Sequence, residues 1–290
     1  MKKVLVILGP TASGKSDLGV LLARKFKGEI ISADSRQVYK GLSAGSGKIT
    51  KPEMRGVKHH LLDVIDPKKQ FTVAEYQVLA TKALEGTRKR DKLPIIVGGT
   101  GFYIDALATG AVLPNVPPNK KLREKLAQKS NEALLKLLRK RDPKRAKTVD
   151  PQNKVRLIRA LEIVEALGKV PNLKSKVNKD FIYIGLKPND LDTRIKKRLL
   201  KRLPSMIREA KSLRAKGLSY KRMHKLGLEY RYLALYLQGK VSKEEMISKL
   251  KIEIRRYAKR QMTWFKRNKK IKWFNPEEYK EIEKYLKKKL

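Results

Sequence analysis

The sequence has no cysteine, which removes disulfides, thiolate zinc ligands and a cysteine nucleophile together. Histidine is nearly as scarce. His59, His60 and His224 are the whole supply, so a histidine-rich metal cluster is not expected. No run of ~18 apolar residues occurs, which argues against a transmembrane helix. The apolar stretch Val4 to Leu8 is too short for a signal peptide and stops at Gly9-Pro10, so a cytoplasmic location is expected. Acidic residues are few beside basic ones, 28 against 71, for a net charge of +43. Thermophilic proteins enrich glutamate along with lysine, so adaptation to heat does not explain this imbalance. An excess of this size attracts polyanions, with nucleic acid ahead of anionic membrane.

What is present reads as a globular chain. Its 290 residues can form one large domain or two unequal ones. Val4 to Leu8 is apolar throughout, as a strand covered on both faces requires. A turn at Gly9 to Gly14, a helix from Ser16 to Phe26, a strand from Glu29 to Ala33 and a helix from Thr72 to Arg90 follow. Thr72 and Glu75 there have capping-box spacing. Leu93 to Val97 is a third strand. Alternation of this kind gives a parallel α/β sheet, and ligands bind at the carboxyl ends of its strands. Gly9–Ser16, Asp34 and Gly98–Thr100 all fall at such ends.

The character changes near Leu113, and Pro114-Asn115-Val116-Pro117-Pro118 reads as a linker. Residues 119–170 read as basic helices, and Phe181 to Leu186 as a strand rejoining the first sheet. The expected architecture is a P-loop NTPase-like parallel sheet flanked by helices, formed by 1–114 and 181–290. An inserted all-helical subdomain occupies 115–180. Helices are expected over Leu191–Ala215 and Ser242–Asn268. Arg194, Arg198, Arg202 and Arg208 read as a solvated helix face, and Trp264-Phe265 as core. His59 and His60 lack metal-ligand spacing and receive no catalytic role.

Gly9-Pro10-Thr11-Ala12-Ser13-Gly14-Lys15-Ser16 fits G-x-x-x-x-G-K-[ST] between a buried strand and a helix. Glycines let the backbone wrap around phosphate oxygens, and the helix N-terminus adds a favourable field. Lys15 supplies a point charge, and the Ser16 hydroxyl is placed for Mg²⁺. Asp34, at the end of the second strand, has the position of a general base or magnesium ligand, and equally that of a helix N-cap.

Together these segments resemble the tRNA dimethylallyltransferases. The resemblance rests on the phosphate loop, on Ile30-Ile31-Ser32-Ala33-Asp34-Ser35-Arg36-Gln37-Val38-Tyr39, and on Val97-Gly98-Gly99-Thr100-Gly101-Phe102-Tyr103. Tyr257-Ala258-Lys259-Arg260-Gln261-Met262-Thr263-Trp264-Phe265 completes it. Asp150-Pro151-Gln152-Asn153 with Arg156 and Arg159-Ala160-Leu161-Glu162 matches the family's inserted domain. The resemblance implies transfer of a dimethylallyl group from dimethylallyl diphosphate to the 6-amino group of the adenosine 3′ of the anticodon. The tRNAs concerned read codons that start with U, and the product is N6-dimethylallyladenosine. It also implies that the loop and Mg²⁺ hold a diphosphate leaving group, with Lys15 and Thr11 at the reacting centre and Asp34 taking the amine proton. Ser35, Arg36, Gln37 and Thr100 would contact the target adenosine region. Arg123, Val155, Arg156, Leu157, Ile158 and Arg159 would bind the anticodon stem-loop. A monomer without membrane contact is expected.

Two segments depart from the family pattern. Gly41-Leu42-Ser43-Ala44-Gly45-Ser46-Gly47-Lys48-Ile49 replaces an Ile-Gly-Thr-Ala-Lys-Pro-like run, and Leu228-Glu229-Tyr230-Arg231 replaces a Gly-Tyr-Lys/Arg segment. Two other readings stay open on sequence: a small-molecule or nucleotide kinase, and an RNA-binding module with an inert phosphate loop.

Overall fold

A computed structural model of the chain describes residues 3–110, 114–171 and 180–290. Leu113, where the sequence changes character, lies outside them. Two compact units result. One comprises Met1–Thr109 with Val177–Leu290, the other Gly110–Lys176.

The larger unit opens with β1 (Val4–Leu8), α1 (Lys15–Lys25), β2 (Gly28–Ser32), α2 (Lys51–Met54), β3 (His59–His60), α3 (Val73–Lys89), β4 (Leu93–Gly98) and α4 (Gly101–Thr109). The second unit holds α5 (Lys120–Ala127), α6 (Asn131–Arg141), α7 (Pro143–Thr148) and α8 (Lys154–Leu167). The chain then returns with β5 (Phe181–Leu186), α9 (Leu191–Ala215), α10 (Tyr220–Leu226), α11 (Leu228–Leu237), α12 (Lys243–Phe265), β6 (Lys272–Phe274) and α13 (Tyr279–Lys287).

The strands form one parallel sheet in the order β3-β2-β4-β1-β5-β6. β1 lies inside it, with Leu5 beside Ile95 on one flank and Ile182 on the other. Both of its faces are covered, and this is why every position from Val4 to Leu8 is apolar. β3 and β6 were not foreseen. They have two and three residues, too few for any periodicity to register.

Just past β1, Gly9 adopts φ 148°, and a Cβ there would lie 2.6 Å from the Leu186 carbonyl oxygen at the end of β5. Only glycine fits this approach, so the return of the chain through β5 and the shape of the phosphate loop constrain one another. α3 starts with the expected capping box: the Glu75 amide donates to Thr72 Oγ1 at 3.2 Å, and the Thr72 amide donates to Glu75 Oε2 at 2.7 Å.

A separate apolar core forms beneath the basic helices. Ile195, Leu199, Leu203, Met206, Ala210 and Leu213 recur every three or four residues along α9 and pack with Val38, Tyr39, Leu42 and residues of α10–α12. Among the described residues, no helix is long and apolar enough to cross a membrane.

The second unit has its own core, centred on Leu126, Leu134, Leu138, Leu157, Leu161 and Val164. Its bounds differ by a few residues from the 115–180 read off the linker prolines. α4 ends at Thr109 beside Gly110, before the prolines begin. Within this unit the buried Glu162 carboxylate accepts from Arg123 Nε and Nη2, both at 2.8 Å, from Arg159 Nη1 at 2.5 Å and from the Asn119 amide at 2.7 Å. Burial pushes this carboxyl up, but the two guanidiniums and the amide together hold it at about 2.

The folded value lies below the unfolded one, so Glu162 stabilises the folded unit above pH ~4.5 and loses that contribution as pH falls toward about 2. Glu162→Gln is expected to cost about 2–3 kcal/mol at pH 7 and to flatten the acid limb of the unit's stability. Urea titrations followed by circular dichroism across that pH range check this.

Candidate active site

Three chain segments from different strand ends meet at one cavity of about 420 Å³ in the larger unit. The phosphate loop contributes Thr11, Lys15 and Ser16, the stretch after β2 contributes Asp34 to Gln37, and the end of β4 contributes Gly98 and Gly99. The opposite wall, from the C-terminal helices, includes Arg198, Glu229, Arg231, Tyr257, Arg260 and Gln261.

The loop's conformation follows from its composition. Gly14 takes φ 86° just before α1, and Ala12 also lies in the left-handed region at φ 63°. Ser13 is fully buried, and Lys15 Nζ reaches back to donate to the Pro10 carbonyl at 2.6 Å and to Ser13 Oγ at 3.4 Å. Burial and the neighbouring Arg198 charge lower the Lys15 ammonium to about 7, against the opposing pull of Asp34. An ammonium held this way gains most when a polyanion enters beside it.

Asp34 lines the cavity, but the helix N-cap that its position suggested is not there, because residues 35–38 form a turn and no helix follows. Its Oδ1 caps that turn instead, accepting from the Arg36 amide at 2.7 Å and the Gln37 amide at 3.3 Å, and this fixes the carboxylate's direction. Thr100 Oγ1 accepts from the Ser35 amide at 3.1 Å and so ties the ends of β2 and β4 together. Arg36 lines the cavity, and its Nη1 donates to the Ser35 carbonyl at 3.2 Å.

Gln261 had no assigned role. It is buried in α12, accepts from the Thr11 amide at 2.8 Å and donates to the Gly99 carbonyl at 2.8 Å. A single side chain thus spans the phosphate loop and the end of β4. A Cβ on Gly99 would come 2.2 Å from Gln261 Nε2. Helical spacing carried a signal here: Glu253, Tyr257, Arg260 and Gln261 share one face of α12 beside the buried stripe Ile254, Ala258 and Phe265.

These observations decide the family. A family model described as IPP transferase matches residues 37–268. The chain belongs to the IPP transferase family. The tRNA dimethylallyltransferase of Thermoanaerobacter sp. (strain X514) is 41% identical over 296 residues, covering 97% of this chain and 94% of the relative. The full-length tRNA isopentenylpyrophosphate transferase from Bacillus halodurans is 37% identical, with a TM-score of 0.74 over 100% of this chain and 97% of that one. A eukaryotic dimethylallyltransferase captured acting on tRNA is 29% identical, with a TM-score of 0.78, and covers 91% of this chain and 70% of its own.

The two segments read from sequence as departing from the family pattern turn out to touch. Glu209 of α9 accepts from the amides of Ser43 at 2.7 Å, Ala44 at 2.6 Å and Gly45 at 2.9 Å, and from the Tyr230 hydroxyl at 2.7 Å. A Cβ on Gly45 would come 2.5 Å from Tyr230 Cζ. The 41–49 loop and the 228–231 segment therefore form one packed arrangement around a shared carboxylate. Arg198 Nη2 donates to the Gly47 carbonyl at 3.3 Å on the same loop.

Several readings from sequence need correcting. Arg198 is not a solvated cation but part of the cavity wall, and Arg202 lies against Gly47 beneath the loop, where burial and Arg198 lower it to about 10. Arg208, by contrast, is exposed and donates to Ser205 Oγ at 3.0 Å. Arg194 pairs with Asp190 and Glu277. Phe265 is core, whereas Trp264 is half-buried at the surface. His59 lines the cavity with Nδ1 against the Val57 carbonyl, and burial lowers its basicity, so it offers a neutral ring. In the second unit, Val155 and Arg156 are exposed and Ile158 is half-buried. The Leu157 side chain is fully buried and has no surface to offer RNA. Arg123 and Arg159 are engaged with Glu162.

Gln261→Ala removes two hydrogen bonds worth about 1 kcal/mol each from the loop's support. Inorganic pyrophosphate is expected to bind this variant about ten- to thirtyfold more weakly, with Arg208→Ala binding like the unaltered protein. Isothermal titration of the three proteins checks it.

Proposed function

We propose that the chain transfers a dimethylallyl group from dimethylallyl diphosphate to the 6-amino group of the adenosine 3′-adjacent to the anticodon. Its substrates are tRNAs that read codons starting with U, and its product is N6-dimethylallyladenosine. The observation that carries this reading is the cavity itself: a phosphate loop, a capped carboxylate and the Gly98–Gly99 end of β4 bound one space. Family membership supplies the chemical class. The reading extends to a monomer acting in the cytoplasm without membrane contact.

The residues supply the steps. Lys15 and the loop amides face the diphosphate and stabilise the charge it gains as the allylic C–O bond breaks and the electron pair leaves with it. The adenine nitrogen forms the new bond to that carbon, and its proton passes to the Asp34 carboxylate. Gln37 and Arg36, beside Asp34 in the wall, orient the base.

Magnesium fits this donor set in one manner. Among the described residues no three His, Cys, Asp or Glu side chains gather to hold a metal. The Ser16 hydroxyl lines the cavity next to Lys15, so Mg²⁺ would be held by that hydroxyl and the diphosphate's own oxygens. When bound it adds positive charge at the leaving group.

A loop base already unstacked reaches such a cavity at low cost. The exposed part of the basic excess, 71 basic against 28 acidic residues, binds phosphates and positions the loop without reading sequence. Within the second unit the exposed Val155–Arg156 edge is the part of α8 available to the stem-loop, with Arg123 and Arg159 acting through their outer nitrogens. A kinase explains the phosphate loop but not the charge, and the capped Asp34 in the cavity speaks against an inert RNA-binding module.

Incubating the protein with dimethylallyl diphosphate, Mg²⁺ and unmodified tRNA is expected to add one prenyl group per tRNA, read by nucleoside mass spectrometry. No product across a panel of tRNAs contradicts the proposal. Asp34→Ala is expected to slow turnover by about 10²-fold or more while tRNA still binds; equal loss of both removes the base from Asp34. Filter binding is expected to weaken steeply as salt rises, and a flat response removes the role given to the basic surface.

A further inference from the structure

Three residues past Gly99 of the cavity wall, α4 turns one aromatic ring toward solvent. Phe102 is 44% exposed and is the second residue of α4. It follows Gly98 and Gly99, which line the cavity, and Thr100, which is bonded to the Ser35 amide. A lone exposed phenylalanine is ordinary and needs no function. What sets this one apart is how it is held.

Trp264 lies edge-on to the Phe102 ring, with centroids 6.1 Å apart and planes at 64°. Trp264 is itself fixed from two sides. Its Nε1 donates to Asp105 Oδ2 at 2.8 Å, and the Arg267 guanidinium carbon lies 3.7 Å from the centre of its ring. A Cβ on Gly101 would come 2.2 Å from Trp264 Cδ1, so the indole presses against the first turn of α4 where only glycine stands. Phe102 is therefore backed by a rigid aromatic ring and has one side free. The charge along this stretch of α12 is mostly positive. Lys259, Arg260, Lys266 and Arg267 are all exposed on α12 or just beyond it, and Arg260 also lines the cavity. The nearby Asp105 carboxylate is bonded to Trp264 and lies 3.6 Å from Arg267.

A preformed ring flanked by cations is the arrangement that holds single-stranded nucleic acid: the π-face takes a base and the cations take the adjoining phosphates. We propose that Phe102, backed by Trp264 and Arg267, is a stacking platform for the nucleobase next to the adenosine that enters the cavity. The proposal rests on the tRNA reading above and deepens it. Phe102 holds the loop open by giving the neighbouring base a new partner when its own stack is broken. The phenyl ring touches the RNA but neither the diphosphate nor the reacting atoms, so it is a positioning residue.

The test uses the whole protein and an anticodon stem-loop RNA carrying 2-aminopurine at the nucleotide on one side of the target adenosine, then on the other. Binding is expected to quench the fluorescence at one of the two positions. Phe102→Ala is expected to abolish most of that quenching and to weaken RNA binding about tenfold, while inorganic pyrophosphate binding and the circular dichroism spectrum stay unchanged. Phe102→Tyr and Phe102→Trp are expected to restore both, and Phe102→Leu neither. Unchanged quenching in Phe102→Ala, or full rescue by leucine, overturns the platform, as does the absence of quenching at both positions. These readouts need no turnover. A protein that stacks the probe yet prenylates no tRNA overturns the proposed reaction and leaves the platform standing.

Discussion

The buried amide of Gln261 is the contact on which the site's assembly depends. It joins the Thr11 amide to the Gly99 carbonyl and so ties α12 to two strand ends at once. A phosphate loop is a row of backbone donors, braced from within here by Lys15 bonding Pro10 and Ser13. Its usefulness depends on those donors pointing inward before the ligand arrives. Here one flank is fixed by the close approach of Gly9 to Leu186 and the other by Gln261. The C-terminal helices are therefore more than a basic surface for RNA. They form the far wall of the cavity and lock the loop that faces it.

The same economy governs charge. With 71 basic residues against 28 acidic ones, most cations cannot find a carboxylate. The buried Glu29 and Glu162 and the half-buried Glu209 are each shared among several donors. Glu162 holds Arg123 and Arg159, Glu29 holds Arg90 and His60, and Glu209 holds three loop amides and a tyrosine hydroxyl. The cations left over gather where a polyanion is wanted. Lys15, Arg36, Arg198, Arg231 and Arg260 all line one cavity, where burial first and the Arg198 charge second lower the Lys15 ammonium. Crowded like charges are a standing cost in the free protein that a bound diphosphate relieves.

What could be read from sequence was whatever is local. Buried strands show as apolar runs, the phosphate loop as a spacing of Gly, Lys and Ser, and the start of α3 as Thr72 with Glu75. Each signal is complete within a few residues. The features that escaped are relations between distant segments. Nothing within α9 marks Arg198 as a cavity residue and Arg208 as solvent-exposed; their difference lies in the loop at Gly47, which packs against one and not the other. The two departures from the expected family pattern looked independent because a long stretch of sequence separates them, yet Gly45 packs on Tyr230 and both bond Glu209. Leu157 was misjudged for the opposite reason: a motif was carried across as a block, and helical geometry turns one of its members into the core.

In the proposed reaction one cavity holds a prenyl diphosphate on the phosphate loop and an adenine amine at Asp34 together. A crystal structure with the unreactive thio analogue of dimethylallyl diphosphate and an anticodon stem-loop tests this. The diphosphate is expected within hydrogen-bond reach of Lys15 and the loop amides, with the adenine 6-amino group at the Asp34 carboxylate. A diphosphate bound away from the loop, or an adenine whose amine faces a group other than Asp34, would contradict it.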